Sequence, residues 1–483
     1  MIDAHERTRW PLPPLAIALD DLVVPLHESP DDGSRELLGA RWACEQFSDG
    51  ATPRQVCEAA LWFGLRRGRT EGHGPFGFVT HSVLAAHSVS SIDAARTSPH
   101  DVDALRTAQL AAVQHVAYTV GGARGGGGDP GAAPDSAVLR WLDPDPDPID
   151  PAGDLLDAAL QGDVDGSDRC WIDAAAADPD AAEEALISAG AASYHLNEHK
   201  LIYPAQLRAW VGDGATDPVI FRAAARYAGN HQQDPEQARA RRADAAVLAL
   251  DAVQRSPSTL GRLPRGGHER VSTVASGIAL TPAGSLSALV LASLEEGLAP
   301  EDLIDAIALL SAAAFAVTSF GEDAPVGPVH ACTGAEALQR CLDRAQSPEL
   351  RYELALCSTR SPSAATLEPV SELWVPPHDG DALADLVAAL ADGDPDDAAE
   401  AATAVPPDDP DAIDAAWSAV RSAAVTDQWM VLHAIKHVVA MEQSFRISDH
   451  PARIWFLAAA SRTAAHATAV EQPLADTVAE ILS

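Results

Sequence analysis

Seventeen histidines give this 483-residue chain its greatest chemical potential, and several stand in apolar company at helical spacing. Tyr194-His195-Leu196-Asn197-Glu198-His199-Lys200 and Leu432-His433-Ala434-Ile435-Lys436-His437 each carry two histidines four residues apart. On a helix that spacing sets both imidazoles on one face, within reach of a single metal ion. Gly72-His73-Gly74-Pro75 leads into a stretch holding His81 and His87, which lie about 240° apart around a helix axis. Val329-His330 opens another apolar helix. These patterns predict a metal set drawn from His73, His81, His195, His199, His330, His433 and His437. Neutral imidazoles suit iron or another transition metal, with open positions left for oxygen or substrate. Glu198 would complete a histidine–carboxylate set or orient a ligand from behind.

The lysine count adds to this pattern. Of 33 basic residues only Lys200 and Lys436 are lysine, and each adjoins one of the spaced histidine pairs. A lysine kept where arginine is the rule suggests a point charge with an adjustable pKa, suited to pairing with a buried acid or an anionic intermediate. Lys200, Lys436 and Glu198 are therefore the expected catalytic side chains. The remaining histidines have plainer expectations: His87, His115 and His466 as hydrogen-bonded core residues, and His5, His27, His100, His378 and His450 as solvent-exposed ones.

Other chemistries lose support through missing motifs. There is no Gly-x-Ser-x-Gly elbow, no His-Glu-x-x-His and no nucleotide-cofactor motif, since the glycine patterns at 72–77 and 126–131 follow no strand-like segment. The six cysteines include no Cys-x-x-Cys and are too sparse for a disulfide framework, and the N-terminus lacks the apolar region of a signal peptide. A reduced, cytoplasmic protein is expected. The most apolar stretch, 303–320, carries Asp305 and reads as a buried helix, so no membrane association is expected.

Helical periodicity dominates and strand alternation is nearly absent, which predicts an all-α fold, a multi-helix bundle or helical array. Thr52-Pro53, Ser98-Pro99, Asp217-Pro218, Asp234-Pro235 and Ser347-Pro348 each place a capping side chain before a proline that the first helical turn tolerates. One helix is expected to run from His195 to Val211. Two segments read as connectors: 121–166, which is Gly-rich and then rich in Asp-Pro, and 368–409, which is acidic and Pro-rich around one short helix. They would separate an N-terminal helical part (1–120) from a central one (167–367) and from C-terminal helices (410–483) that complete the same body.

In Gly72-His73-Gly74-Pro75, His330-Ala331-Cys332-Thr333-Gly334-Ala335-Glu336-Ala337-Leu338 and His433-Ala434-Ile435-Lys436, the chain resembles a histidine-rich helical module. That module is found attached to Rieske-type iron–sulfur proteins and in the questin oxidase-like group. The resemblance spans roughly residues 50 to 470 and implies an oxygen-using oxidoreductase acting on a small molecule. It departs from the Rieske proteins in one respect: no cysteine is followed by a histidine two or three residues later, so the cluster itself is absent. Electrons would have to come from a separate iron–sulfur partner. The alternatives are a non-catalytic helical protein that binds a ligand or haem, and a helical scaffold with structural histidines.

The acidic balance bears on habitat and on partners. With 70 acidic residues against 33 basic ones the formal net charge is -37, a surface that repels polyanions, so nucleic-acid partners are not expected. Asp outnumbers Glu by roughly two to one and lysine is almost gone, a composition suited to molar salt, where the Debye length shrinks to about 3 Å.

Overall fold

The computed structural model describes residues 38–67, 78–92, 109, 113, 149–211, 218–229, 235–256, 262–320, 326–368, 370, 373, 381–425 and 433–469. Among these residues every regular element is helical, as the periodicity predicts. The chain begins with α1 (Leu38–Ser48), α2 (Pro53–Arg67) and α3 (Phe78–Ser91). A second group follows: α4 (Pro151–Gln161), α5 (Val164–Ala177), α6 (Pro179–Ser193), α7 (His199–Val211), α8 (Pro218–Ala228) and α9 (Pro235–Arg255). Next come α10 (Gly267–Leu280), α11 (Leu286–Glu295), α12 (Pro300–Val317), α13 (Val326–Arg344) and α14 (Pro348–Cys357). The last five are α15 (Ala382–Asp392), α16 (Pro395–Thr403), α17 (Pro410–Ala424), α18 (His433–Ile447) and α19 (Ile454–Ala469). None of the described helices is long and apolar enough to cross a membrane.

The acids start many of these helices. Asp150, Asp163, Asp178, Asp381, Asp394 and Asp409 each accept a hydrogen bond from a backbone N–H in the first turn of α4, α5, α6, α15, α16 and α17. In four of these a proline follows directly, where its missing N–H costs nothing. Thr52 and Gln55 cap α2 reciprocally, the side chain of each bonding the backbone N–H of the other.

This capping corrects the two expected connectors. Residues 151–161 are α4, launched from an Asp-Pro step that reads in sequence as loop, and α5 begins at Val164. The segment 368–409 contains two helices rather than one, and α15 and α16 bury Leu386, Leu390, Ala398 and Ala402. Both pack against α19, so this acidic stretch belongs to the body of the protein. Aspartate at a helix start and aspartate in a solvated loop are indistinguishable by composition; the apolar spacing that follows separates them.

Two hydrophobic cores result. One gathers α1–α3, α9–α12 and α15–α19. The other gathers α4–α8 with much of α14. Helix α13 serves both, giving Val329, Cys332 and Ala335 to the first and Ala337, Leu338 and Cys341 to the second. It packs on α7 on one side and on α18 on the other. Gly190 allows a further close approach within the second core: a Cβ there would stand 2.6 Å from the Lys200 carbonyl. Pro204 lies four residues after Lys200 inside α7 and has no N–H to bond that carbonyl, so the helix bares it toward α6.

Candidate functional site: a buried imidazole seam

Helices α7, α13 and α18 each carry histidine to the seam between the cores. His199 and His330 stack edge to face with ring centroids 4.4 Å apart, and His330 and His433 do the same at 5.4 Å. One turn further along α18, the His437 ring lies 4.5 Å from that of Phe315 on α12. All four imidazoles and Lys436 are buried. Burial pushes the His330 and His437 pKa values down to about 3 and that of His199 well below its usual value. The Lys436 charge further opposes protonation of His199 and His330. At neutral pH these three rings are neutral bases.

Hydrogen bonds fix which nitrogen of two rings carries the proton. The Asn197 side-chain oxygen accepts from the backbone N–H of His199 at 2.9 Å and meets His199 Nδ1 at 2.8 Å. A backbone N–H only donates, so the amide orientation is set and Asn197 Nδ2 is left to donate to the Tyr227 hydroxyl at 2.8 Å. His199 therefore carries its proton on Nδ1 and its lone pair on Nε2. At His437 the Nδ1 atom lies 2.7 Å from Thr463 Oγ1, whose own proton goes to the Ala459 carbonyl. Nδ1 again is the donor. His437 Nε2, fully buried, has no hydrogen-bond partner among the described residues, and the opposite tautomer would strand an N–H there.

The remaining predicted site residues go elsewhere. His195 is not on the helix of His199: the chain turns at 194–198, and α7 starts only at His199, where Asn197 provides the N-terminal cap. Burial, with Arg241 and Arg360 nearby, holds the His195 pKa below its usual value, and the ring takes no part in the seam contacts. Glu198 is taken up by the following loop, accepting from the Ser361 hydroxyl at 2.7 Å and the Ser363 amide at 3.0 Å. Lys200 faces away from the imidazoles and donates from Nζ to the Ala228 carbonyl at the C-terminal end of α8. Burial lowers its pKa to about 8. His73 and the side chain of His81 lie outside the described residues.

Four participants carried no motif. Asn197 and Thr463 lock tautomers, and Phe315 packs on His437. The fourth, Tyr194, has a buried hydroxyl with no partner among the described residues, directed at Gly334 one turn after His330. A Cβ at Gly334 would stand 2.7 Å from that hydroxyl and 3.1 Å from Glu198 Cγ, so glycine lets the 194–198 turn press against α13. Asn two residues before a helix-starting histidine is the one of these signals visible in sequence. His450, expected in solvent, is buried: its Nδ1 accepts from Ala452 N–H at 3.0 Å, so the ring caps the 3-10 turn ahead of α19. Its Nε2 proton then lies between the His268 carbonyl at 3.2 Å and Ser272 Oγ at 3.0 Å, which excludes it as a base for that serine.

Ring spacing and donor placement bear differently on a metal. Two imidazoles on one ion place their centroids roughly 3.2 Å from it, hence about 4.5 Å apart at right angles and about 5.2 Å apart at the tetrahedral angle. The observed 4.4 and 5.4 Å match. The far-nitrogen bonds to Asn197 and Thr463 are the kind that orient metal-binding imidazoles. Among the described residues, however, no three His, Cys, Asp or Glu side chains are grouped to hold a metal ion. No family model, curated protein or solved structure matches this chain.

Proposed function

We propose that the imidazole seam is the reaction centre of a small-molecule oxidoreductase of the oxygenase type, served by an iron ion or another transition metal. The observation that carries this reading is the ring contact of three buried imidazoles from three helices, His199, His330 and His433, with buried His437 one turn further along α18 and the protons of His199 and His437 locked on Nδ1. His199, His330, His433 and His437 would hold the metal, which when bound supplies Lewis acidity and one-electron chemistry. The word oxidoreductase rests on the family resemblance in the His330 and His433 motifs. Asn197 and Thr463 keep the Nε2 lone pairs of His199 and His437 available. Lys436 sets a positive charge beside the rings, which favours an anionic substrate or intermediate, and the two cores exclude bulk water. Reducing equivalents come from a separate iron–sulfur protein.

Elemental analysis of protein purified in molar salt tests this. A transition metal near one per chain, lost in His330→Ala while the fold is retained, is the expected result. Absence of iron, manganese, copper and zinc, with none taken up on reconstitution, overturns it. A second reading follows from the fact that the donors are not drawn to one point: the seam binds a small anion or haem without a catalytic metal. An optical spectrum of the same sample separates haem from the other outcomes.

A further inference from the structure

The longest run of the chain without Asp, Glu, Lys or Arg is residues 271–294, which covers most of α10, the turn after it and nearly all of α11. With 21% of the chain charged, about five charged side chains belong in a run of that length. Burial does not account for their omission. Only Val271 and Ala275 are buried in α10, and only Val290 and Leu294 in α11. Leu280 is 72% exposed, and Leu286 and Leu289 are half-buried. Helix α10 packs on α12 and α11 on α14, so each has an inner face already used; the outer residues carry no charge of their own, and Leu280, Ala283, Ala288 and Ala292 stand there among Thr273, Ser285 and Ser287, the last within reach of Arg360.

We infer that this face is where two copies of the chain meet. Each copy carries -37 formal charges, so most approaches bring like charges together. The α10–α11 surface is where two copies come into contact without doing so. A basic partner would be steered to the acid-rich faces, and this one offers it no charge to pair with. Stable interfaces take roughly 20–30 residues from each side, and of the 24 residues here all but Val271, Ala275, Val290 and Leu294 keep some exposed surface. A two-fold axis through it would bring Leu280 and the Leu286/Leu289 face of each copy against the other, completing the burial that α11 lacks. Molar salt strengthens the contact twice over, by screening the surrounding acids and by favouring apolar burial.

Light scattering coupled to size exclusion tests the inference on the full chain at micromolar concentration. In 2–4 M KCl the expected mass is twice that of one chain, and it falls to a monomer as salt is lowered within the range where helicity is retained. Leu280→Glu combined with Leu289→Glu gives a monomer at every salt concentration with an unchanged circular-dichroism spectrum. Val387→Glu, at an exposed valine on α15, leaves the dimer intact. A wild-type chain that remains monomeric in high salt, or a dimer that survives the α10–α11 substitutions, overturns the inference. So does a monomer that binds neutral phospholipid vesicles through the same surface, since the occupant is then a bilayer.

Discussion

Acid weakens this protein through its buried imidazoles, and His437 is the place to measure it. An unfolded histidine titrates near 6.5, whereas burial holds His437 at about 3. Between those values the unfolded chain binds the proton and the folded chain does not, so stability falls as pH falls. Above 6.5 both states are neutral and the ring has no effect on the pH dependence. At pH 5 the unfolded ring is protonated by 1.5 units' worth of driving force, or about 2 kcal/mol. The figure barely changes whether the folded value is 3 or 4, since both lie below the measurement. His330 and His87, also held at about 3, add similar amounts. The perturbation is His437→Gln in metal-stripped protein, and the assay is urea unfolding in constant molar KCl at pH 7.5 and pH 5. Whatever the substitution costs at pH 7.5, the additional loss on going to pH 5 should be smaller than in wild type by about 2 kcal/mol. An acid-induced loss equal in the two proteins refutes the argument. So does a ring titration followed by nitrogen chemical shifts with its midpoint near 6.5.

Three further outcomes are expected. Gly334→Ala loses about 1–3 kcal/mol in urea unfolding because its Cβ collides with the Tyr194 hydroxyl, and Tyr194→Phe in the same chain recovers most of that loss. Lys200→Met abolishes a rise in wild-type stability between about pH 8 and the unfolded lysine value near 10.5, a window in which the unfolded state holds more protons than the folded one; thermal midpoints across that range check it. Asp409→Ala removes the cap of α17 and costs about 1 kcal/mol, whereas Asp408→Ala, at a neighbouring exposed acid, costs much less.

The all-α fold was legible because apolar residues recur at helical spacing in segment after segment, and that period leaves little room for strands. Helix starts at Thr52-Pro53 and Ser347-Pro348 were legible because the side chain satisfies a backbone donor, whereas Asp150-Pro151 and Asp394-Pro395 start α4 and α16 inside stretches whose composition reads as loop. The site was legible in part. The rings of His199, His330 and His433 are in contact and His437 lies one turn further along α18 against Phe315, whereas the spacing of His195 and His199 misled, because Asn197 ends the turn and begins a new helix between them. The two lysines look alike in sequence and diverge in space. Lys436 stands beside the rings, while Lys200, one residue past His199 on α7, is swung round to the end of α8. A helix advances about 100° per residue, so adjacency in sequence says little about a shared face. Thr463 and Tyr194 matter through contacts with residues distant in the chain, and no local pattern announces such contacts.

The shared helix α13 also governs when the seam exists during synthesis. The second core is nearly complete once α14 has left the ribosome, because its main members, α4–α8, α13 and α14, have all been made by then. His199 and His330 are then in place, but His433 and His437 arrive only with α18, among the last helices made. A chain cut short before α18 would lack two of the four rings together with Lys436 and Thr463. The seam is thus assembled only in a molecule whose α18 has docked on α13 and whose α19 has docked on α18.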